Sequence, residues 1–487
     1  MTKNILVFSD GTGQVGGVRP DQQLSNVYKI YRATRPGPDS PIDPKEQVAF
    51  YDPGLGTGET DGWTWKRFKN TLAAGVGTGI DENVIDCYAA IISFYEPGDR
   101  VVLIGFSRGA YTVRSVANVM NVCGVPTRMP DGEPVPRHGP RLRKIATDAV
   151  KFVYNHGAGH PRGKYEEERE AKAARFRARY GSEGSGMDGE PQGNVQPHFI
   201  GVFDTVAALN SRLVASIVFL LLGVLAVCLG LSVWLGPWWL SALFAVPVAI
   251  AAVLLGRIWS GQYKYFFEDP ERRPRFWNPF DWPDLITRGH FAWWKEGDYD
   301  RFLDNLVPHA RDAMSIDENR AKFPRVGWGS SVDQKRNAGR DPEWFVQMWF
   351  PGNHSDVGGS YPEPESRLSD AALEWMVGEL RACVPDLRIR ENMLHVFPDA
   401  AGLQHDEVQK ARDRTPRWFW KWFVWSEEPR EVRPQSRLHP SVLARMAAGP
   451  VPIMGRVEHY RPEALRGHEA AGRYFGKEIR PGMTRNS

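Results

Sequence analysis

The sequence predicts an α/β fold: a mainly parallel sheet with helical insertions and one inserted two-helix apolar hairpin. Three observations predict it. Short continuous apolar runs, each reading as a buried strand, recur from Asn4 to Phe203. They alternate with helical segments, the pattern that yields parallel strands joined by crossover helices. Residues 213–256 hold no charged residue in 44 positions, unlike any other part of the chain.

Asn4–Phe8 (NILVF) is a strand that runs into Ser9-Asp10-Gly11-Thr12-Gly13. Leu24–Thr34 reads as a helix. Val48–Tyr51 is a second strand, stopped by Asp52-Pro53-Gly54. Asp81–Tyr95 is a helix opened by an acidic residue and ended by Pro97-Gly98. Val101–Phe106 is a third strand and Ala110–Val122 a helix. Residues 128–197 read as a polar insertion, with one exposed charged helix at Tyr165–Tyr180 and a flexible Gly/Ser-rich tail at Gly181–Gly193. Phe199–Phe203 returns to strand. Residues 258–345 are aromatic and Pro-rich and read as a cap or helical elaboration. Phe345–Phe350 is a strand ended by Pro351-Gly352, and Leu368–Cys383 is an amphipathic helix. Arg417–Trp425 mixes Trp and Phe with Arg417 and Lys421. It is either a membrane-interface segment or a buried aromatic strand. The organisation expected is a core domain in two parts, 1–211 and 258–385, with the hairpin 212–257 between them and an accessory region at 386–487.

Gly236-Pro237 divides the apolar segment into Leu213–Leu235 and Trp238–Gly256. As helices these are about 34 and 28 Å long, against a hydrocarbon core of about 30 Å. Two membrane spans are therefore expected. Trp234, Trp238 and Trp239 sit at the turn, where an aromatic belt belongs. Arg212 and Arg257 bracket the pair and the tip carries no Lys or Arg. The positive-inside rule then places the flanks and the folded domain on the cytoplasmic side, of the inner membrane if the chain is bacterial. The alternative is a soluble chain whose apolar hairpin is a lid over a lipid-sized pocket.

Composition excludes several classes. The chain has 487 residues, 61 Lys+Arg and 58 Asp+Glu, a net charge of +3. That balance lacks the basic footprint of a nucleic-acid binder. Charged residues at 24% and hydrophobic ones at 42% are globular, not disordered. Cys87, Cys123, Cys228 and Cys383 are far apart and form no CxxC, so neither a disulfide framework nor a thiolate metal site is expected. No HExxH and no GK[ST] loop appears. No metal or cofactor is expected. Ile5–Phe8 is too short for a signal-peptide core.

Gly105-Phe106-Ser107-Arg108-Gly109 is the one GxSxG in the chain. Its context is strand, sharp turn, helix, which is the nucleophile elbow of an α/β-hydrolase-like sheet. The Arg108 N–H, at the helix start, faces where an oxyanion would form. A serine nucleophile needs a base, and the base an orienter. The chain order expected is Ser, then Asp or Glu, then His. Asp204 follows the strand Phe199–Phe203, and His354 follows Phe345–Phe350. Both then share the carboxyl edge of a parallel sheet with Ser107. Asp52 also follows a strand but precedes the serine. Asp356 either braces the histidine loop or binds a cation. The loop Asp10-Gly11-Thr12 is the expected source of the second oxyanion donor. Aspartyl-phosphate chemistry at the first strand would need an Asp where Phe8 stands.

These residues, with LVFSDGTGQ, SNVYKIYRAT, FYDPGLGT, GVGTGIDENVIDCYAAI, GFSRGAYTVR, GVFDTVAAL, HARDAMSIDENRAKFPRVGW and MWFPGNHSDVGGSY in this order, resemble the catalytic domain of the type VI secretion phospholipase effector family. The resemblance implies an α/β-hydrolase fold, esterase or phospholipase A activity, and a triad of Ser107, Asp204 and His354. The charge-free hairpin after the Asp204 motif departs from the effector pattern and points to a membrane-tethered enzyme. The expectation is a serine hydrolase of lipid acyl esters, with a lipid or phospholipid substrate and a membrane as partners and no nucleic acid. The alternatives are a membrane-anchored, non-catalytic interaction protein on a hydrolase fold, and a soluble hydrolase of small esters or thioesters.

Overall fold

The apolar runs assemble into a single central sheet in this computed structural model, which describes residues 2–11, 14, 16–17, 23–54, 79–206, 212–269, 272, 274–275, 277–292, 300–321, 323–420 and 424–475. Its strands are β1 (Asn4–Ser9), β2 (Gln47–Asp52), β3 (Arg100–Phe106), β4 (Phe199–Phe203), β5 (His309–Ser315) and β6 (Phe345–Phe350). They lie in the order β2-β1-β3-β4-β5-β6, all parallel. The register sets Val7 beside Phe50 and Leu103, Leu103 beside Ile200, and Ile200 beside Ala310.

Among the helices are α1 (Asn26–Thr34), α2 (Gly79–Phe94), α3 (Arg108–Cys123), α4 (Glu166–Tyr180), α5 (Arg212–Leu235), α6 (Trp238–Gln262), α7 (His354–Gly358) and α8 (Arg367–Cys383). Strand residues alternate between two buried faces. Ile5, Val7, Val101, Leu103, Ile200 and Val202 pack against α2 and α3. Leu6, Phe8, Val102, Ile104, Phe106, Phe199 and Phe203 pack against α1 and α8. Continuous apolar runs are what strands covered on both faces require. Burying each such side chain contributes about 1.5–3 kcal/mol.

Strand β5 stands where a cap or helical elaboration was expected. Arg311 and Asp312 interrupt its apolar pattern, yet both are buried. The Gln347 amide donates to Asp312 at 3.0 Å. Arg311 donates to the Ala310 and Glu343 carbonyls, each at 2.9 Å, and pairs with Glu379. Tertiary partners offset charges that local pattern would keep out of a strand. The insertion also differs from expectation. Helix α4 is not a free exposed helix: Ala173, Phe176 and Tyr180 are core residues and Arg177 is fully buried. The Gly181–Gly193 tail is not a loose loop but an antiparallel hairpin of Glu183–Ser185 and Pro191–Gly193. It is pinned to the end of α3, where a Cβ on Gly193 would come within 2.0 Å of the Met120 carbonyl oxygen.

Helices α5 and α6 pack against each other. Leu220, Val227, Leu243 and Val253 are exposed along them, and Trp234 and Trp238 at the tip are 85% and 82% exposed. Among the described residues one stretch, Ser241–Gln262, is long and apolar enough to cross a membrane; in α5 the apolar stretch is the shorter Gly223–Leu235. Two full spans were expected, and α6 runs beyond Arg257 to Gln262.

The C-terminal region closes on the β6 edge. The Trp349 N–H donates to the Arg437 carbonyl and the His439 N–H to the Trp349 carbonyl, each at 2.9 Å. Met314, Ile316 and Trp349 share a core cluster with Val432, Val442, Met446 and Tyr460. At 417–419 the aromatic segment is a short 3-10 turn rather than a strand, with Trp418 exposed; Lys421 lies outside the described residues.

Candidate active site

In this sheet β1 neighbours β2 on one side and β3 on the other. Loops leaving β1 and β3 therefore diverge, and the crevice at such a switch point is where open α/β sheets bind ligands. Ser107 follows β3 at that point. Its φ of 59° and ψ of −123° are strained for a residue with a side chain, at a cost of about 1–3 kcal/mol. Two glycines make the turn possible. A Cβ on Gly105 would meet the Gly109 carbonyl oxygen at 2.5 Å, and one on Gly109 would meet the Ser9 carbonyl oxygen at 2.0 Å. The Ser107 N–H donates to the Phe203 carbonyl at 3.1 Å, which ties the turn to the end of β4.

Arg108 opens α3. The first N–H groups of a helix have no partner within it and carry the positive end of its dipole, so the Arg108 N–H is suited to an oxyanion. Burial pulls its guanidinium down to about 10.

Asp10 and Gly11 do not supply the second donor. The Asp10 N–H is spent on the Asp52 carbonyl at 3.0 Å. The Gly11 N–H is taken by the Asp10 carboxylate at 2.7 Å. That carboxylate also accepts from the Tyr51 hydroxyl at 2.8 Å and from Ser25, and burial nonetheless pushes it up to about 6. Asp10 is a strut under the loop, not a face toward substrate. Gly11 still lies against Ser107: a Cβ built on it would be 3.3 Å from the Ser107 Cβ. Thr12 lies outside the described residues.

Asp204, just past β4, is fully buried with φ of 41°. Its N–H donates to the Ala313 carbonyl at 2.7 Å and its Oδ1 accepts the Ser315 N–H at 3.0 Å. His354 Nδ1 is 2.5 Å from its Oδ2. Arg430 completes the set with one terminal nitrogen on each oxygen, at 2.5 and 2.9 Å. Burial alone would raise this carboxyl. The Arg430 charge and the His354 hydrogen bond outweigh burial and hold it well below the usual carboxylate range.

His354 opens α7, capped by Asn353, whose side chain accepts from the Ser355 and Asp356 N–H groups. The ring stacks on Phe106, the residue before Ser107, at 4.7 Å between centroids, and Phe323 meets it edge-on at 5.4 Å. Nδ1 is engaged, while Nε2 is buried with no hydrogen-bond partner among the described residues. A buried polar atom without a partner is costly and calls for a function. The His354 ring lies against Phe106, the residue before Ser107.

Asp356 is a brace rather than a cation ligand. It accepts the Asn353 and His405 N–H groups, each at 3.0 Å, and sits 2.8 Å from His405 Nδ1. His405 Nε2 reaches Glu365 at 3.1 Å. Burial would lower His405, but Asp356 and Glu365 raise it above the ordinary imidazole value. Asp52 accepts from Ser9 at 2.7 Å and Asn83 at 2.9 Å.

Sequence reasoning missed Arg430 and His405. Arg430 lies in a Glu/Arg-rich run that reads as solvated surface, and His405 is one of 12 histidines. Neither has a local signal, because only the closure of the C-terminal region brings them in. For a metal, His156, Glu168 and His290 have ligand atoms within 4.8 Å of one another. Lys172 donates to His156 Nδ1 at 3.0 Å. A metal-bound imidazole donates its second N–H rather than accepting from a cation, so this group does not fit a metal.

The family model described as the type VI secretion phospholipase effector Tle1-like catalytic domain matches residues 3–220 and 280–379. The break between the two segments takes in most of the apolar hairpin, and Arg430 and His405 lie beyond the second. An uncharacterised protein of Saccharomyces cerevisiae is 30% identical over 130 residues, 25% of this chain and 18% of that protein. An uncharacterised Pseudomonas aeruginosa protein of known structure aligns at 16% identity and TM-score 0.35, over 82% of this chain and 49% of that one. The Tle1 effector bound to the VgrG spike of the type VI secretion system aligns at 15% identity and TM-score 0.27, over 76% and 53%. The chain thus spans about half the length of these solved proteins and under a fifth of the yeast one.

Proposed function

The chain belongs to the Tle1-like phospholipase effector catalytic-domain family, and from that premise we propose that it is a membrane-docked serine esterase cleaving acyl esters of phospholipids. The observation that carries the reading is the buried His354–Asp204 pair, its Nε2 unpartnered among the described residues, beside the strained Ser107 turn. The parallel sheet, with Ser107 after β3, Asp204 after β4 and His354 after β6, has the Ser-Asp-His chain order of an α/β-hydrolase.

In this scheme Ser107 Oγ attacks the ester carbonyl and His354 Nε2 takes the hydroxyl proton. Asp204 accepts from Nδ1, fixes the tautomer and stabilises the imidazolium. The Arg108 N–H, at the α3 N-terminus, holds the developing oxyanion. His354 returns the proton to the leaving alcohol, and water, activated by the same ring, hydrolyses the acyl-enzyme. The hairpin α5–α6 inserts in the bilayer with the folded domain on the cytoplasmic side. Its exposed Leu, Val and Trp side chains favour lipid over a lid, since each left in water forgoes about 1.5–3 kcal/mol of burial.

The test is fatty-acid release from a phospholipid panel in detergent by wild type and Ser107→Ala. Release that disappears in the folded variant is expected. Equal release by the two proteins would overturn the assignment.

A further inference from the structure

Beside the triad runs a groove of about 1580 Å³, between residues 314–349 and the C-terminal segment 428–437. At one end it meets the site. Phe323 packs on His354, Glu318 accepts the His354 N–H at 3.3 Å, and Arg430 grips Asp204. Its walls carry Trp328 and Trp349 together with arginines.

Three of those arginines have a carboxylate. Arg320 pairs with Glu318, Arg437 with Glu343, and Arg430 with Asp204. Arg325 and Arg433 have no ion pair among the described residues. Arg325 is fixed next to the triad by its backbone: it bridges Val206, two residues past Asp204, and the following Val326 N–H donates to the Thr205 carbonyl at 3.3 Å. Its guanidinium lies 5.7 Å from the Trp349 ring centroid. Arg433 is three residues past Arg430, beside the buried Val432. Desolvation in the groove wall and the charges of Arg430 and Arg433 pull the Arg325 guanidinium below its ordinary value, against the carboxylates of Asp312 and Asp204, which raise it. Glu318, Glu428 and Glu431 in the same wall offset part of its positive charge, but none of them pairs with Arg325 or Arg433 among the described residues.

We propose that Arg325 and Arg433 form a phosphate subsite that holds the phosphodiester of a glycerophospholipid while its acyl ester meets Ser107. Guanidinium forks match phosphate oxygens in pairs. In such a lipid the phosphodiester is only a few bonds from the scissile ester, so its subsite must adjoin the triad. This one does. The half-buried Phe323 and Phe345 in the lining give the glycerol and the start of an acyl chain an apolar surface. The inference rests on the phospholipid-esterase reading and adds to it a headgroup contact by named residues.

The experiment uses the full chain in detergent, with Arg325→Gln and Arg433→Gln made singly. Arg433 is an exposed loop residue, so its variant folds even if the other does not. The first readout is the ratio of kcat/KM for phosphatidylglycerol to that for diacylglycerol with the same acyl chains. A fall of about tenfold per guanidinium is expected, the loss of one charge-assisted hydrogen bond. The second is calorimetric binding of the deacylated headgroup, glycerophosphoglycerol, and of inorganic phosphate to Ser107→Ala. The diester should bind more tightly than phosphate, and either arginine change should weaken it. An unchanged ratio in both variants overturns the proposal. Inorganic phosphate binding as tightly as the diester also overturns it, in favour of a free-phosphate site. If wild type hydrolyses no ester but the arginine-dependent diester binding is present, the esterase reading fails and the subsite stands.

Discussion

Asp204 receives His354 Nδ1, the Ser315 N–H and both terminal nitrogens of Arg430. A buried carboxylate with one neutral partner would be pushed upward; the guanidinium decides the sign. The folded carboxyl therefore lies below the unfolded one, near 3.9. Its stabilisation is present above that value and is lost as pH falls toward the folded pKa. Arg430→Met removes the cation and leaves the charge buried, so folding stability should drop by about 3–5 kcal/mol. Without Arg430, burial raises Asp204, and protonation of Asp204 reaches into the working range. The acid limb of kcat/KM should move to higher pH in Arg430→Met and partly return in Arg430→Lys. A lower rate with an unmoved acid limb would show that Arg430 acts on stability alone. The placement of Ser107, Asp204 and His354 on one edge of the sheet was legible in the sequence because each is a polar residue set just past an apolar strand. Arg430 and His405 were not. Their roles depend on where residues 400–440 close on the sheet, and no spacing within those residues records that.

At the scale of elements, five of the six strands were legible because continuous apolar runs have few other fates in a globular chain. Strand β5 was not, since Arg311 and Asp312 are tolerated only through Glu379, Gln347 and backbone carbonyls from distant segments. The α4 helix misled in the opposite sense. Its charged sequence reads as solvated, but Arg177 is buried by donating to the Val122 carbonyl at 2.8 Å and pairing with Glu170. The α5–α6 hairpin carries its own prediction. Its side chains are apolar and exposed, and the turn at Gly236-Pro237 brings both ends to one side. Replacing residues 212–257 by a short Gly/Ser linker should move the chain from the membrane fraction to the soluble one and leave hydrolysis of a short-chain ester intact. A deletion that stays with the membrane would place the docking surface elsewhere.

For the whole molecule, the sheet, the family-matched segments and the C-terminal region make one site. Strands β3, β4 and β6 deliver Ser107, Asp204 and His354 to a common edge. The α7 cap, braced by Asp356 and His405, fixes the imidazole, and the C-terminal segment supplies Arg430. On the proposed function the hairpin brings this assembly to lipid, where a long apolar substrate is concentrated. On the proposed function Ser107 is an activated nucleophile whose base is His354. A fluorophosphonate probe tests it most directly, with the labelled residue identified by mass spectrometry. One adduct is expected, on Ser107, formed rapidly by wild type and slowed by about a hundredfold or more in His354→Ala, the scale of a lost general base. No adduct on Ser107 in the folded wild-type chain, or labelling at the same rate without His354, would contradict it.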